Sequence, residues 1–263
     1  MNTVIVPVDF SETSLNAAHY AAQLLVGHYG VTMLLYHHFN KTSDEEQAKL
    51  ELGHLKQQLN SKYPVKIDTL AHMGDDFIND LEKAVRHRRP DLVIMGITGR
   101  SPLGQVLIGS NTLKFAETRS CPVLIVPEQS VYRDVRNVML ASDFKNVFNT
   151  TPSAPIKDFL KTFRPQLHVV NVDPEHYVAI SESYTREKAD FEEMFREFTP
   201  EFYFMRLFDI DEALNLFAKE KNIDLIIAIQ KQHSFFDKLF KKGGGTTKKL
   251  SYQSEVPVLV VHE

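Results

Sequence analysis

The chain contains a sequence repeat whose period is about half its length. Three short segments recur in the same order at offsets of 134, 133 and 135 residues, measured between the pairs Asp9 and Asp143, Asp91 and Asp224, and Pro122 and Pro257. Near-equal offsets in the same order indicate a duplication. We therefore predict two domains, residues 1–130 and 131–263, joined by a short linker and packed on each other as an intramolecular pseudo-dimer.

Within each copy, runs of β-branched residues alternate with amphipathic stretches, as is typical of strand–helix–strand units around a parallel sheet. In the first copy the predicted strands cover residues 3–8, 31–36, 65–70, 91–95 and 122–126. One predicted helix follows Ser11, which is suited to be its N-cap, and the others occupy residues 43–59, 75–88 and a segment after Gly109. The predicted fold class is α/β, with two tandem five-stranded parallel-sheet domains of Rossmann-like type.

Composition limits the partners and the compartment. Residues 1–130 contain 12 Lys and Arg against 14 Asp and Glu, and the whole chain has a formal net charge of −4. Neither half therefore has the positive charge that attracts nucleic acid or anionic membranes. Asp9 interrupts the first apolar run, which excludes a signal peptide there, and the single Cys121 is typical of a buried residue in a reducing compartment. We expect a cytoplasmic protein that binds neither nucleic acid nor membranes.

The residues that could carry chemistry follow the first and fourth strands of the first copy. In an open parallel sheet, ligands bind beyond the carboxyl ends of the strands where the strand order reverses. Asp9 ends the first strand and Gly96 ends the fourth, so both should reach one crevice. Gly96 and Gly99 permit positive φ and let the backbone approach a ligand closely, and we predict that Gly109-Ser110 precedes a helix whose free N–H groups attract an anion.

The same segment supplies further phosphate-binding groups. Arg100 adds a positive charge, and the hydroxyls of Ser110 and Thr112 could meet phosphate oxygens directly. Gly104-x4-Gly109-Ser110 has the glycine spacing of a P-loop, but it lacks the lysine and is rejected as one.

The pattern Gly96-x2-Gly99-x9-Gly109-Ser110 resembles the glycine motif of the universal stress protein family in its ATP-binding branch. Segments 4–9 and 121–127 support this resemblance, whereas Thr98 stands where ATP-binding members often carry histidine. The resemblance implies strand order 3-2-1-4-5 in adenine nucleotide alpha hydrolase-like domains. It also implies that Asp9 and the backbone near His38, just past strand two, hold adenine and ribose. The full set of implied nucleotide-binding residues is Pro7, Asp9, His38, Gly96, Gly99, Arg100, Gly109, Ser110, Asn111 and Thr112.

The second copy lacks most of these residues. Ile229 stands where the first copy has Gly96, Gln232 stands where it has Gly99, and only segment 243–246 is similar to the later glycine pair. Asp143 is retained. We predict that this copy binds nucleotide weakly or not at all.

Three other features have a structural and a functional interpretation. His37 and His38 are adjacent on or near a strand, so their side chains should point to opposite faces and not chelate one ion. The basic segment 241–249 could bind an anion, but it is more often a solvated loop. Asp9 could merely cap the following helix.

The sequence thus favours an ATP-binding regulatory protein, for which the resemblance implies a role in stress response, and not an enzyme. Two alternatives remain open: a slow ATP hydrolase, and a protein-interaction module without nucleotide. The need for Mg²⁺, the protein partner and any association of two chains into a homodimer also remain open.

Overall fold

The computed structural model describes residues 1–98, 110–172, 182–205, 210–230 and 256–263. Contacts between residues divide it into two compact units, Met1–Tyr132 and Arg133–Glu263. The predicted domain boundary lay between residues 130 and 131. We call the two parts the first and the second unit.

The first unit alternates strands and helices. Its strands are β1 (Thr3–Pro7), β2 (Thr32–Phe39), β3 (Lys66–Met73), β4 (Leu92–Ile97) and β5 (Val123–Pro127). Its described helices are α1 (Glu12–Leu24), α2 (Glu45–Asn60), α3 (Phe77–Arg88) and α4 (Ser110–Glu117). The strands pair in parallel in the order β3-β2-β1-β4-β5, which is the order that the resemblance implied.

The second unit repeats this arrangement. Its strands are β6 (Asn137–Ser142), β7 (Gln166–Val172), β8 (Glu201–Met205), β9 (Leu225–Gln230) and β10 (Val258–His262). Its described helices are α5 (Val147–Thr150), α6 (Ser153–Phe163), α7 (Glu182–Met194) and α8 (Ile210–Glu220). The strands pair in parallel in the order β8-β7-β6-β9-β10, so the α/β class predicted from the alternation is confirmed in both units.

The central strands have apolar side chains on both faces because helices cover the sheet on both sides. Val4, Ile5 and Val6 of β1 are fully buried. Ser11 caps α1, as predicted, and its side chain accepts the backbone N–H of Ser14 at 3.3 Å. The buried face of α1 consists largely of alanine, which allows the helix axis to lie close to the strands.

Equivalent hydrogen bonds anchor the first strand in both units. Asp91 Oδ2 accepts the backbone N–H groups of Asn2 and Thr3 at 2.6 and 2.9 Å, which fixes the start of β1 beside the start of β4. In the second unit, Asp224 Oδ2 accepts the N–H groups of Arg136 and of the first residue of β6, both at 2.9 Å. The repeat therefore preserves contacts as well as strand order.

Two expectations about single features can be compared with the structure. Cys121 is buried, as predicted, and burial raises the pKa of its thiol to about 12, so that little of it is thiolate at neutral pH. Within the described ranges, every helix is too short or too polar to span a bilayer.

Candidate functional site

A cleft of about 390 Å³ opens at the carboxyl ends of β1 and β4. It brings together six of the residues predicted from the sequence, namely Pro7, Asp9, His38, Gly96, Asn111 and Thr112. It is also lined by Val8, Ser11, Thr13, Ser14, Phe77, Met95 and Thr98, which the sequence analysis did not select as ligand contacts. The crevice predicted from strand order therefore exists, and α1, α3 and α4 contribute to its walls.

Four predicted residues belong to the segment between β4 and α4 or to its end. Gly99, Arg100 and Gly109 lie outside the described residues. Ser110 is the first residue of α4. The described part of the site therefore consists of the strand ends and the first turns of α1, α3 and α4.

Asp9 holds the turn that leads into α1. Its Oδ1 accepts the hydroxyl and the backbone N–H of Ser11, the latter at 3.1 Å, and its own N–H donates to Ser14 Oγ at 3.3 Å. Partial burial raises the pKa of the Asp9 carboxyl, whereas hydrogen bonds from Ser11 and Ser14 lower it. Together the hydrogen bonds outweigh burial, so the pKa lies below its ordinary value. The alternative that Asp9 itself caps α1 is wrong, because its carboxylate instead orients the capping Ser11.

Gly96 is required by helix packing. It lies inside β4, and the described glycines with positive φ are Gly27 and Gly30, so Gly96 does not use the positive φ that glycine permits. A Cβ at Gly96 would lie 2.5 Å from the backbone oxygen of Thr13 and 2.9 Å from its carbonyl carbon. Only glycine lets α1 approach the end of β4 this closely.

Thr112 connects α4 to the same strand end. Its Oγ1 donates to the backbone oxygen of Gly96 at 2.7 Å, and the residue is 4% exposed. The hydroxyl that was predicted to meet phosphate is thus engaged within the protein. Its neighbour Asn111 is exposed in the first turn of α4 and lines the cleft, so its polar side chain lies in the turn whose backbone N–H groups have no partner within the helix.

The opposite end of the cleft is formed by β2 and α3. His38 was predicted to lie just past the second strand, and this is wrong. It lies within β2, because residues 37–39 continue to pair with β3. Its Nε2 lies 3.2 Å from Asp80 Oδ2, and Phe77 stands beside it with the rings 5.8 Å apart in an edge-to-face arrangement.

Asp80 is the main residue that the sequence analysis missed at this end. It is 6% exposed, and Lys83 Nζ donates to its Oδ1 at 2.8 Å, with His72 Nε2 3.9 Å from the same oxygen. The hydrogen bond from Lys83 lowers the pKa of Asp80, burial raises it, and the hydrogen bond from His38 lowers it. The net effect is a pKa below the ordinary value. Asp80 lies in the first turn of the helix that follows β3, and this position was the available signal that it lies near the site.

His37 and His38 have different partners, as their alternation along the strand predicted. His37 Nδ1 lies 2.8 Å from the carbonyl oxygen of Val8. A carbonyl oxygen only accepts, so Nδ1 of His37 carries a proton. Among the described residues, no three His, Cys, Asp or Glu side chains are grouped so that they could hold a metal ion.

Comparison with known proteins shows which family the first unit is similar to. The sequence model of the universal stress protein family matches residues 1–127. A universal stress protein of Methanocaldococcus jannaschii is 26% identical over 137 residues, which cover 47% of this chain and 80% of the relative. The first unit of the chain therefore matches the universal stress protein family.

Solved structures show that the universal stress protein fold extends over both units. A universal stress protein from Archaeoglobus fulgidus has a TM-score of 0.71 at 20% identity, and the match covers 99% of this chain and 98% of the other. A protein of unknown function from Pseudomonas aeruginosa has a TM-score of 0.63 at 15% identity, with coverage of 100% and 92%. At these identities the likeness concerns the fold alone.

The second unit retains Asp143 but changes its surroundings. Asp143 Oδ1 accepts the backbone N–H of Lys145 at 3.1 Å. Ile229, which replaces the strand-end glycine, is 3% exposed. Gln232 and the segments 241–249 and 243–246 lie outside the described residues.

Proposed function

We propose that the first unit binds an adenine nucleotide, ATP, and acts as a regulatory module of a stress response and not as an enzyme. The observation that carries the proposal is the cleft at the carboxyl ends of β1 and β4, where Asp9, the strand end at Gly96 and the first turn of α4 meet. The match of the first unit to the universal stress protein family supports a nucleotide as the ligand class.

The dimensions of the cleft suit a nucleotide. Its volume of about 390 Å³ falls within the range of about 300–1,000 Å³ that is usual for small-molecule sites. The cleft reaches from β2 across β1 to β4. Two strand spacings correspond to roughly 10 Å, which is about the distance from the base of a nucleotide to its phosphates.

Charge sets the direction of the bound nucleotide. The first turn of α4 has unpaired N–H groups and the positive end of the helix dipole, which favour phosphate. At the other end, an adjoining cavity of about 510 Å³ shares His38 and Phe77 with the cleft and is also lined by Asp44, Glu51 and Asp75. These carboxylates repel phosphate, so the phosphates extend toward α4 and the base lies against His38 and Phe77.

Binding without turnover fits the groups near α4. ATP hydrolysis requires a side chain that orients water beside the γ-phosphate, together with concentrated positive charge or a metal ion. Thr98, Asn111 and Thr112 of the described cleft are neither carboxylates nor bases. The carboxylate of Asp9 already accepts the hydroxyl and the N–H of Ser11. The His38–Asp80 pair stands at the base end. The nucleotide therefore acts as a signal, whose negative charge alters the surface that a protein partner contacts.

Two measurements test the proposal. Denaturing freshly purified protein should release ATP that chromatography identifies, and calorimetry should then show ATP binding to the emptied protein, with and without Mg²⁺. Protein that releases no nucleotide and gives no binding at millimolar ATP would refute the proposal. ATP turnover that tracks ATP affinity among variants would instead favour the slow hydrolase.

A matched pair of variants locates the phosphates. Asn111→Asp adds a carboxylate in the first turn of α4, inside the cleft, and should weaken ATP binding by about tenfold or more. Asn79→Asp makes the same change at an exposed position in the first turn of α3, outside the cleft, and should leave the Kd within about twofold. Equal effects of the two substitutions would mean that the phosphates do not lie at α4.

A further inference from the structure

His38 presents its imidazole to the base end of the cleft. Its side chain is 12% exposed and lines the cleft at the end of β2. One ring nitrogen, Nε2, lies 3.2 Å from Asp80 Oδ2. The other, Nδ1, has no hydrogen-bond partner among the described residues and is not one of the buried unpaired atoms.

Asp80 determines which nitrogen of His38 carries the proton. Its carboxylate is buried, and the hydrogen bond from Lys83 holds its pKa below the ordinary value, so it is ionised at neutral pH. An ionised carboxylate only accepts hydrogen bonds, so Nε2 must be the protonated nitrogen. Since Lys83 already offsets the charge of Asp80, the ring need not be cationic, and Nδ1 of the neutral ring is left as an acceptor.

The pair is held by the backbone as well as by charge. A Cβ at Gly74 would lie 1.9 Å from Asp80 Oδ2 and 3.0 Å from His38 Nε2. Glycine at this position therefore allows the carboxylate to approach the ring. The end of β2, the turn after β3 and the first turn of α3 together fix one tautomer of His38.

We propose that His38 is a specificity-determining residue, whose Nδ1 accepts a hydrogen bond from the 6-amino group of adenine and disfavours purines with a 6-oxo group. The inference rests on the proposed function, because it requires the base at the β2 end of the cleft. A 6-oxo oxygen is itself an acceptor, so it would face the lone pair of Nδ1 without a hydrogen between them. One neutral hydrogen bond corresponds to a preference of about tenfold.

The test compares ATP with inosine triphosphate, which carries a 6-oxo group and a protonated N1 but is otherwise the same. Calorimetry at pH 8, where an imidazole is neutral, should give a Kd about tenfold lower for ATP in the wild type. His38→Phe keeps a ring of similar size without nitrogen, and it should bring the two Kd values within about twofold, mainly through weaker ATP binding.

His72→Phe is the matched control. His72 also lies near Asp80, and its ring stacks on that of Tyr36 at 6.0 Å, but it does not line the cleft. The ATP preference should remain in this variant. A preference that falls equally in His38→Phe and His72→Phe would overturn the role of His38, because it would reflect general disturbance of the cluster.

A readout in the protein without nucleotide tests the tautomer itself. Nitrogen NMR of the histidine rings should show His38 protonated at Nε2. In Asp80→Asn the amide can donate to Nε2, so the proton should move to Nδ1 and the preference should shift toward inosine triphosphate. Circular dichroism verifies that this variant is folded, and His38→Phe serves as the test if it is not.

The outcomes separate the two proposals. A wild type that binds ATP and inosine triphosphate equally, or a His38 protonated at Nδ1, overturns the role of His38 and leaves nucleotide binding intact. A wild type that binds neither nucleotide overturns the proposed function and this inference together.

Discussion

The two units share the backbone turn after their first strand. In the first unit Asp9 Oδ1 accepts the N–H of Ser11 at 3.1 Å, and in the second Asp143 Oδ1 accepts the N–H of Lys145 at 3.1 Å. The phenylalanine between them is left-handed in both units, with φ of 62° and 52°. A left-handed non-glycine residue costs about 1–2 kcal/mol, so its presence in both copies shows that the turn belongs to the fold and not only to the ligand site.

A second contact is shared with altered chemistry. His37 Nδ1 lies 2.8 Å from the carbonyl oxygen of Val8, and the equivalent Asn171 donates from Nδ2 to the carbonyl oxygen of Ser142 at 3.1 Å. Both side chains donate an N–H to the backbone carbonyl at the carboxyl end of the first strand of their unit. Duplicated framework contacts therefore tolerate a change of residue, provided that the donor stays in place.

The units differ in what surrounds the shared turn. Phe10 is partly exposed beside His37, and the turn borders the polar cleft. Phe144 is 4% exposed, and four aromatic rings lie 5.0 to 6.4 Å from it, those of Tyr184, Phe191, Phe202 and Phe204. The same backbone thus supports a polar cleft in one unit and an aromatic core in the other.

Truncating the two phenylalanines should give the largest difference between the units. Phe144→Ala removes a buried ring from the aromatic cluster and should lower the free energy of unfolding by about 3–5 kcal/mol. Phe10→Ala removes a partly exposed ring and should cost about 1–2 kcal/mol, in proportion to the smaller area buried. Urea unfolding measures both, and hydrogen exchange shows which unit is weakened. Equal costs would mean that the turn, and not its surroundings, determines stability.

The next largest loss of stability is expected at the end of the fourth strand, where the first unit has Gly96 and the second has Ile229. Ile229 has a Cβ, so the second unit cannot repeat the close approach between strand and helix, and its first helical region is divided into α5 and α6. Gly96→Ala should destabilise the first unit by about 1–3 kcal/mol through overlap with Thr13.

Gly53→Ala is the control for this substitution. Gly53 lies within α2, and a Cβ there would meet nothing within 4 Å. Alanine should therefore stabilise the helix by about 0.5–1 kcal/mol. If Gly96→Ala were also stabilising, the contact between α1 and β4 would not be tight in solution.

The sequence predicted the parts of the site that follow local rules. Asp9 and Gly96 could be assigned to one crevice because strand order alone brings those strand ends together. Ser11 could be assigned as the cap because a cap directly precedes its helix. The packing of Gly96 against Thr13 could not be predicted in this way, since it depends on the distance between a helix and a strand.

The remaining errors concern polar residues at strand ends. The predicted second strand ends at residue 36, but β2 continues to Phe39 through pairing with β3. The His38–Asp80 pair joins residues 42 positions apart, which no local pattern reports. Polar residues that follow a buried run are therefore better interpreted as the last residues of the strand, at the end of the sheet where a ligand binds.

The duplicated aspartates should give smaller and equal effects. Asp91→Ala and Asp224→Ala each remove the acceptor of two backbone N–H groups near the surface, and each should cost about 1 kcal/mol because water can replace part of the bond. Asp134→Ala, whose exposed carboxylate pairs with Arg136, should cost about 0.5 kcal/mol or less. A large loss from one of the duplicated pair and none from the other would show that the framework is anchored differently in the two units.

The smallest effect concerns pH and a position that is Leu34 in β2 and His168 in β7, each 5% exposed. Burial lowers the pKa of His168, the charge of Glu201 raises it, and the charge of Lys221 lowers it. The folded-state pKa therefore lies below the ordinary 6.5. As pH falls, the unfolded chain therefore binds the proton first.

Stability from His168 is thus complete above about pH 6.5 and is lost as pH falls toward the folded-state pKa. His168→Leu restores the residue of the first unit and removes the titrating group, whose Nδ1 is buried without a hydrogen bond. Urea midpoints measured from pH 8 to pH 5 should therefore fall less in the variant than in the wild type. Parallel losses would mean that other groups carry the acid sensitivity, since a leucine at this position cannot bind a proton.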